Sequence, residues 1–185
     1  VTSKTMKENI LFGSECDDQR LKDCIEFSCM EDDIKQMEKG IDTLLGDRGV
    51  NLSGGQKMRL TIARALYSQK DIYLFDDPIS ALDIHVGKKV MEDGILGFLK
   101  GKTRIVNTHA LAYLPYFDYI YIMDKGEIAD QGTYEQLQSS DVFLEIKMSL
   151  EVNEMKRSES FKAEAAKAQE AKQAKEKELE KERLK

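Results

Sequence analysis

The sequence predicts an α/β fold, with short helices before a layered sheet core and a charged tail after it. Apolar residues recur at helical spacing through the first 68 residues. From residue 71 the pattern changes to short apolar runs that alternate with helical segments. From residue 150 the chain is rich in Ala, Lys and Glu. We therefore expect helical residues 1–68, an α/β core at 69–149, and a charged, partly helical linker at 150–185.

The overall composition excludes several classes of protein. The 185 residues are 41% hydrophobic and 34% charged, with a net charge of −6. That charge argues against nucleic acid as a partner, since binding requires a basic surface. No run approaches the ~18 apolar residues of a membrane helix. Three cysteines without a CxxC pair favour reduced thiols over a zinc site, and the absence of an initiating Met suggests that Val1 is an internal point of a longer protein.

Periodicity predicts the order of the elements. In the helical part, two stripes end near Gly13 and Cys29, residues 46–51 form a loop, and a helix capped by Ser53 runs to about Ser68. The run Ile72–Phe75 is typical of a parallel strand that is covered on both faces. The later elements are a helix at Val86–Leu99, strands at Thr103–Thr108 and Tyr119–Met123, a turn at Asp124–Gly126 into a fourth strand, and a helix at Thr133–Leu137.

The segment Leu52–Gln56, with the sequence LSGGQ, has the chemistry of a phosphate-binding turn. Gly54 and Gly55 allow backbone N–H groups to approach an anion closely. The helix that begins here adds roughly half a positive charge at its N-terminus, and the Ser53 hydroxyl can donate to a phosphate oxygen. From these five residues alone, a capped helix without a ligand is an equally good interpretation.

Two carboxylates follow the apolar strand at residues 72–75. Asp76 can hold Mg²⁺ beside a bound polyphosphate, and Asp77 can polarise an attacking water. The alternative is that Asp76 only caps the next turn. Gly101-Lys102-Thr103 looks like the end of a GxxxxGK[ST] loop, but the first glycine position is Leu96 and a helix precedes it. We interpret it as a turn, so the chain contains no such loop.

In this order and spacing, LSGGQ with its continuation to Leu66, and the segment Asp71–Pro78, resemble the signature motif and Walker B strand of an ATP-binding cassette (ABC) ATPase. The resemblance covers about residues 5–145 and implies a partial P-loop NTPase domain that binds ATP and Mg²⁺. Thr5–Gly13 resembles the segment after the exporter Q-loop, and Gly46–Gly49 the loop that touches transmembrane coupling helices. The Asp-Asp-Pro ending, residues 81–87 and the linker look like the first nucleotide-binding domain of subfamily C.

The resemblance also implies roles for individual residues. The turn would face ATP held by the partner cassette, and the D-loop Ser80–Asp83 would lie at the interface between the two cassettes. The residues that contact the nucleotide would be Ser53, Gly54, Gly55, Gln56 and Asp83. Asp76 would hold Mg²⁺. Asp77 and the switch residue His109 would be catalytic, with His109 on the same sheet edge as Asp76. We assign His85 to the interface or to helix entry.

Asp77 departs from the family, in which this position usually holds Glu. The side chain is shorter by one methylene, about 1.5 Å, and a misplacement near 1 Å can cost about 10²-fold in rate. We therefore expect a degenerate, weakly hydrolytic site, unless a shifted water compensates. We also expect the Walker A loop and the Q-loop glutamine to lie upstream of Val1, so the isolated chain would neither bind ATP tightly nor hydrolyse it.

The resemblance implies an exporter module at the cytoplasmic face of a membrane. Its partners would be a second nucleotide-binding domain and transmembrane domains, which move when ATP closes the cassette pair. Two alternatives stay open: a soluble, non-transport cassette ATPase, and a regulatory ATP-binding module of a channel. The sequence does not define the transported substrate. Lys156–Ser160 is a candidate kinase site in the linker, although composition alone favours an unmodified segment.

Overall fold

The α/β class is confirmed, with helices and two small sheets distributed over two compact units. The computed structural model describes residues 1–46, 49, 51–150 and 152. The first unit is Val1–Thr108, and the second begins at His109. Each unit contains one two-stranded sheet among the described residues. The predicted division at residues 68 and 149 stays a prediction.

The first unit opens with the helices that the apolar stripes predict. They are α1 (Met6–Leu11), α2 (Asp18–Phe27) and α4 (Gly54–Tyr67), and between α2 and α4 lie α3 (Glu31–Gln36) and a 3-10 turn (Gly40–Asp42), which no stripe indicated. Helix α1 begins at a capping box formed by Thr5 and Glu8 and ends at Leu11, with Phe12 as its C-cap just before Gly13. Helix α2 ends before the last residue of its predicted stripe, because Cys29 adopts φ 57°. Helix α4 is capped at Ser53 as predicted, whereas three residues of the predicted loop, 47, 48 and 50, lie outside the described chain.

Helix α4 lies at the centre of the first unit and packs against α1 and α2. Its buried face includes Leu60 and Leu66, both fully enclosed. An arginine on α2 also holds the helix, since Arg20 donates to the carbonyl oxygens of Leu66 and Tyr67 at 2.6 and 3.1 Å. These contacts satisfy carbonyl groups that an α-helix leaves unpaired at its C-terminus. They fix the C-terminal end of the helix whose N-terminus is the LSGGQ turn.

The rest of the first unit contains β1 (Ile72–Asp76), α5 (Ile84–Lys89), a π-helix (Val90–Phe98) and β2 (Thr103–Asn107). The strands are parallel, with Ile72 opposite Thr103 and Asp76 opposite Asn107. The predicted helix at 86–99 begins two residues early and continues as the π-helix. Gly101 adopts φ 84° in a turn that follows the π-helix and precedes β2, the reverse of the strand–loop–helix order that a phosphate loop requires.

The prediction that β1 is covered on both faces is wrong for this chain. Tyr73 and Phe75 are buried, but Ile72 and Leu74 are 62% and 75% exposed. Ile105, opposite Leu74 on β2, is 58% exposed. The described chain therefore packs against one face of the parallel pair and leaves the apolar side chains of the other face in solvent.

The second unit is built on a hairpin. A 3-10 segment (Leu111–Tyr116) precedes β3 (Ile120–Asp124), β4 (Glu127–Gly132) and α6 (Tyr134–Leu137), and residues 141–150 are helical. Lys125 and Gly126 make the predicted turn at φ 47° and 85°. A hydrophobic cluster of Ile120 and Ile122 on β3 with Leu137 and Phe143 forms the core of this unit. The linker prediction, including Lys156–Ser160, lies outside the described residues.

Candidate functional site

The LSGGQ turn forms the N-terminus of α4 through a complete capping box. The Ser53 backbone N–H donates to Oε1 of Gln56 at 2.9 Å, and the Gln56 N–H donates to Oγ of Ser53 at 3.2 Å. Ser53 and Gly54 are exposed. The Ser53 hydroxyl can still donate its own hydrogen, so a donor, exposed backbone amides and the helix dipole converge at this end of α4.

A carboxylate on α3 binds two side chains in the first half of α4. Asp33 accepts from Nε2 of Gln56 at 3.0 Å through Oδ1, and from Nε and Nη2 of Arg59 at 3.1 and 2.6 Å through Oδ2. The side chains of Arg59 and Asp33 are only 15% and 16% exposed. Both polar ends of the Gln56 amide are therefore occupied within the chain.

The D-loop approaches the turn closely at Gly55. A Cβ atom at this position would lie 3.2 Å from the carbonyl oxygen of Ala81, whereas one at Gly54 would meet nothing within 4 Å. Asp83 ends the loop and caps α5, accepting from the N–H groups of His85 and Val86 at 3.1 and 3.0 Å. Asp83 thus has a structural role in this chain, and His85 lies at the entry of α5, as predicted.

Strand β2 holds the end of β1 through the Asp76 carboxylate and the Asp77 backbone N–H. Nδ2 of Asn107 donates to Oδ1 of Asp76 at 2.7 Å, and the Asp77 N–H donates to the Asn107 carbonyl at 2.8 Å. Asp77 is half-buried at φ 43°, a region that Asp tolerates better than most residues. The bond to Asn107 uses one oxygen of the exposed Asp76 carboxylate.

Asp76 fits the chemistry of a magnesium site. Mg²⁺ is usually bound by one or two carboxylates together with water and substrate phosphates. Among the described residues no group of three or more His, Cys, Asp or Glu side chains is arranged to hold a metal. His109 opens the second unit with an exposed side chain, and its predicted position near Asp76 stays a prediction.

Three residues of the site were not assigned by sequence reasoning: Asp33, Arg59 and Asn107. Asn107 could have been found, because a parallel register brings the ends of neighbouring strands together. Arg59 lies one turn after Gln56 on the same face of α4, which was a weaker signal. Asp33 had no local signal, since it is 23 positions from Gln56.

The family called ABC transporter matches residues 2–80 of the chain. ABC transporter C family member 8 of Dictyostelium discoideum is 45% identical over 74% of this chain and 9% of its own length. A multidrug resistance protein of Leishmania tarentolae is 46% identical over 72% and 9%, and the ABC transporter C family MRP4 of Zea mays is 46% identical over 74% and 9%.

These similarities, with the motifs in the expected order, define the chain as part of a P-loop NTPase domain. The chain belongs to the ABC transporter family. It spans about a tenth of the length of the curated relatives that it matches. Among the described residues, no helix combines the length and hydrophobicity that crossing a bilayer requires.

Proposed function

We propose that the chain supplies the signature side of an ATP site whose Walker A loop belongs to a partner cassette. The observation that carries this proposal is the exposed capping box at Ser53, where the free end of α4 presents a hydroxyl and backbone amides. Such an end stabilises the negative charge of phosphate groups. Ser53, Gly54 and Gly55 would contact the γ-phosphate, while Gln56 would hold the turn in shape.

The chain would also supply the carboxylates of a second site. Asp76 would hold Mg²⁺, which neutralises charge on the phosphates. Asp77 would orient the attacking water, and His109 would contact the γ-phosphate. The short side chain of Asp77 and its backbone at φ 43° support a degenerate site. The same observation favours a second candidate function, a regulatory module in which ATP binding matters more than turnover.

The exposed face of β1 and β2 supports a larger cassette around this chain. Ile72, Leu74 and Ile105 are all more than half exposed on one side of the pair, and parallel sheets are normally covered on both faces. In our proposal the Walker A part of the domain covers this face. The whole would form the first nucleotide-binding domain of a subfamily C exporter, at the cytoplasmic face of a membrane, with transmembrane domains and a second nucleotide-binding domain as partners.

Ser53→Asp tests the signature role without removing the cap, because Asp is also a strong N-cap residue. In the complete gene product that carries these residues, the added carboxylate would repel the γ-phosphate and lower ATP turnover by about 100-fold. Thr133→Asp is the matched control, since Thr133 forms the same capping box with Gln136 on α6. We expect that control to hydrolyse ATP normally, with little change in melting temperature for either variant.

Unchanged ATP turnover in a folded Ser53→Asp protein would contradict the proposal. So would an equal loss in both variants, because the Thr133 box lies outside the proposed nucleotide contacts.

A further inference from the structure

We propose that Asp33 is a positioning residue of the signature turn and acts on nucleotide through Gln56. The inference rests on the proposed function of Ser53–Gln56 and adds to it a residue on another helix. Asp33 lies in the first turn of α3, far from the LSGGQ motif in sequence. Its carboxylate nevertheless contacts the motif directly.

The orientation of the Gln56 amide follows from the chemistry of Asp33. An ionised carboxylate only accepts hydrogen bonds, so the NH₂ group of Gln56 must face Oδ1 of Asp33, 3.0 Å away. The carbonyl Oε1 is then directed to the Ser53 N–H, 2.9 Å away. A reversed amide would lose both bonds, and Asp33 therefore fixes the side chain that shapes the turn at Ser53.

Arg59 allows a carboxylate to occupy this place. It donates twice to Oδ2 of Asp33, and both side chains are largely buried. This pairing places two guanidinium donors on one carboxylate oxygen and offsets the negative charge of Asp33 near the phosphates that the turn would bind. Removing one partner of such a pair leaves an uncompensated charge, so Asp33 and Arg59 act as one unit that joins α3 to α4.

The capping box of Thr133 and Gln136 on α6 provides a comparison, because it has the same Gln side chain without a bound carboxylate. Gln136 accepts from the Thr133 N–H at 2.9 Å, and its own N–H donates to Thr133 Oγ1 at 3.4 Å. Within the described chain, no acceptor contacts Nε2 of Gln136. Of these two Gln-containing capping boxes, the one at the signature turn has its amide bound by a carboxylate. We call this contact the clamp at Asp33.

A double-mutant cycle in the complete gene product tests the inference. The variants are Asp33→Ala, Gln56→Ala and the pair, with Asp32→Ala as the control, because the Asp32 side chain is 87% exposed beside Lys35. We expect Asp33→Ala to lower kcat/KM for ATP by about tenfold. In the Gln56→Ala background it should cause no further loss. Asp33→Glu should recover part of the activity, and Asp32→Ala should match the parent protein.

Additive losses in the cycle, or a lower melting temperature with unchanged kcat/KM in Asp33→Ala, would overturn the role of Asp33. If Asp33→Ala does not fold, Asp33→Asn takes its place under the same criteria. Failure of the proposed function is distinguishable: Ser53→Asp and Gln56→Ala would then both leave ATP turnover unchanged. Loss of turnover in those two variants with normal turnover in Asp33→Ala refutes the positioning role alone.

Discussion

The N-terminus of α4 and the carboxyl end of β1 carry the two groups of motif residues, and they differ in how they are held. At α4, Gln56 and Arg59 are fixed by Asp33, and Gly55 lies against the Ala81 carbonyl. At β1, one oxygen of Asp76 meets Asn107, and the apolar side chains of one strand face are exposed.

The two regions differ in how far the described chain itself supports the motif residues. The signature turn obtains its support from α3 and the D-loop, all within the first unit. The strand end depends on a sheet whose second face is not covered by the described chain. This difference supports our proposal that the chain completes the ATP site of another cassette.

The largest expected effect is at the strand end. Asp77→Glu in the complete gene product should raise ATP turnover, by up to about 100-fold if reach to the water is limiting. The same change should lower stability slightly, because Glu tolerates φ near 43° less well than Asp. Steady-state ATP hydrolysis measures the effect. Unchanged turnover would remove side-chain length as the cause of a degenerate site and favour the regulatory function.

The two signature glycines should differ in stability although they are neighbours. Gly55→Ala places a Cβ 3.2 Å from the Ala81 carbonyl and should cost about 1–3 kcal/mol through the shift of the D-loop. Gly54→Ala has open space and should stabilise the helix by up to about 1 kcal/mol. Urea unfolding of the chain gives both values, and the reverse order would contradict the contact between α4 and the D-loop.

The far end of α4 should affect stability without affecting nucleotide. Arg20→Met keeps the aliphatic stem but removes two charged hydrogen bonds to the carbonyls of Leu66 and Tyr67. The expected loss is about 1.5–3 kcal/mol of unfolding free energy. Lys22→Met, an exposed change on the same helix, is the control. In the complete gene product the KM for ATP should not change, and a raised KM would show that the two ends of α4 are coupled.

The effect that is smallest at neutral pH concerns Cys24, which is fully buried in α2. Burial raises the pKa of its thiol from 9.0 to about 12. The unfolded chain releases this proton first, so stability should fall between pH 9 and 12, by at most about 1.4 kcal/mol per pH unit. Cys24→Ala should flatten that slope. At pH 8, iodoacetamide should alkylate the exposed Cys16 and spare Cys24, and equal labelling of both in the folded chain would contradict the burial.

Sequence reasoning predicted the features that depend on local pattern. Ser53 caps α4 because its side chain and that of Gln56 are three residues apart, and the hairpin turn at Lys125-Gly126 needs only positive φ. The prediction failed for the burial of β1, because burial of a strand face depends on residues that are distant in the sequence. The run Ile72–Phe75 indicates two apolar faces correctly, but no local signal says whether both are covered.

The clamp at Asp33 was missed for a related reason. Ion pairs between separate helices depend on how the helices pack, and α3 carries three acidic residues in its first turn. Only the packing distinguishes Asp33, which is bound to Arg59, from its exposed neighbour Asp32. The roles of Asp76 and His109 in catalysis were proposed from family resemblance and remain predictions.

The most direct test of the central claim is photolabelling of the complete gene product with an ATP analogue that carries a reactive group on the γ-phosphate. Mass spectrometry of tryptic peptides would locate the label. We predict labelling of residues 49–57, which contain the signature turn, with competition by ATP and loss of the label in Ser53→Asp. Labelling that never reaches this peptide, while other nucleotide contacts are labelled, would contradict the claim that the turn lies against a bound triphosphate.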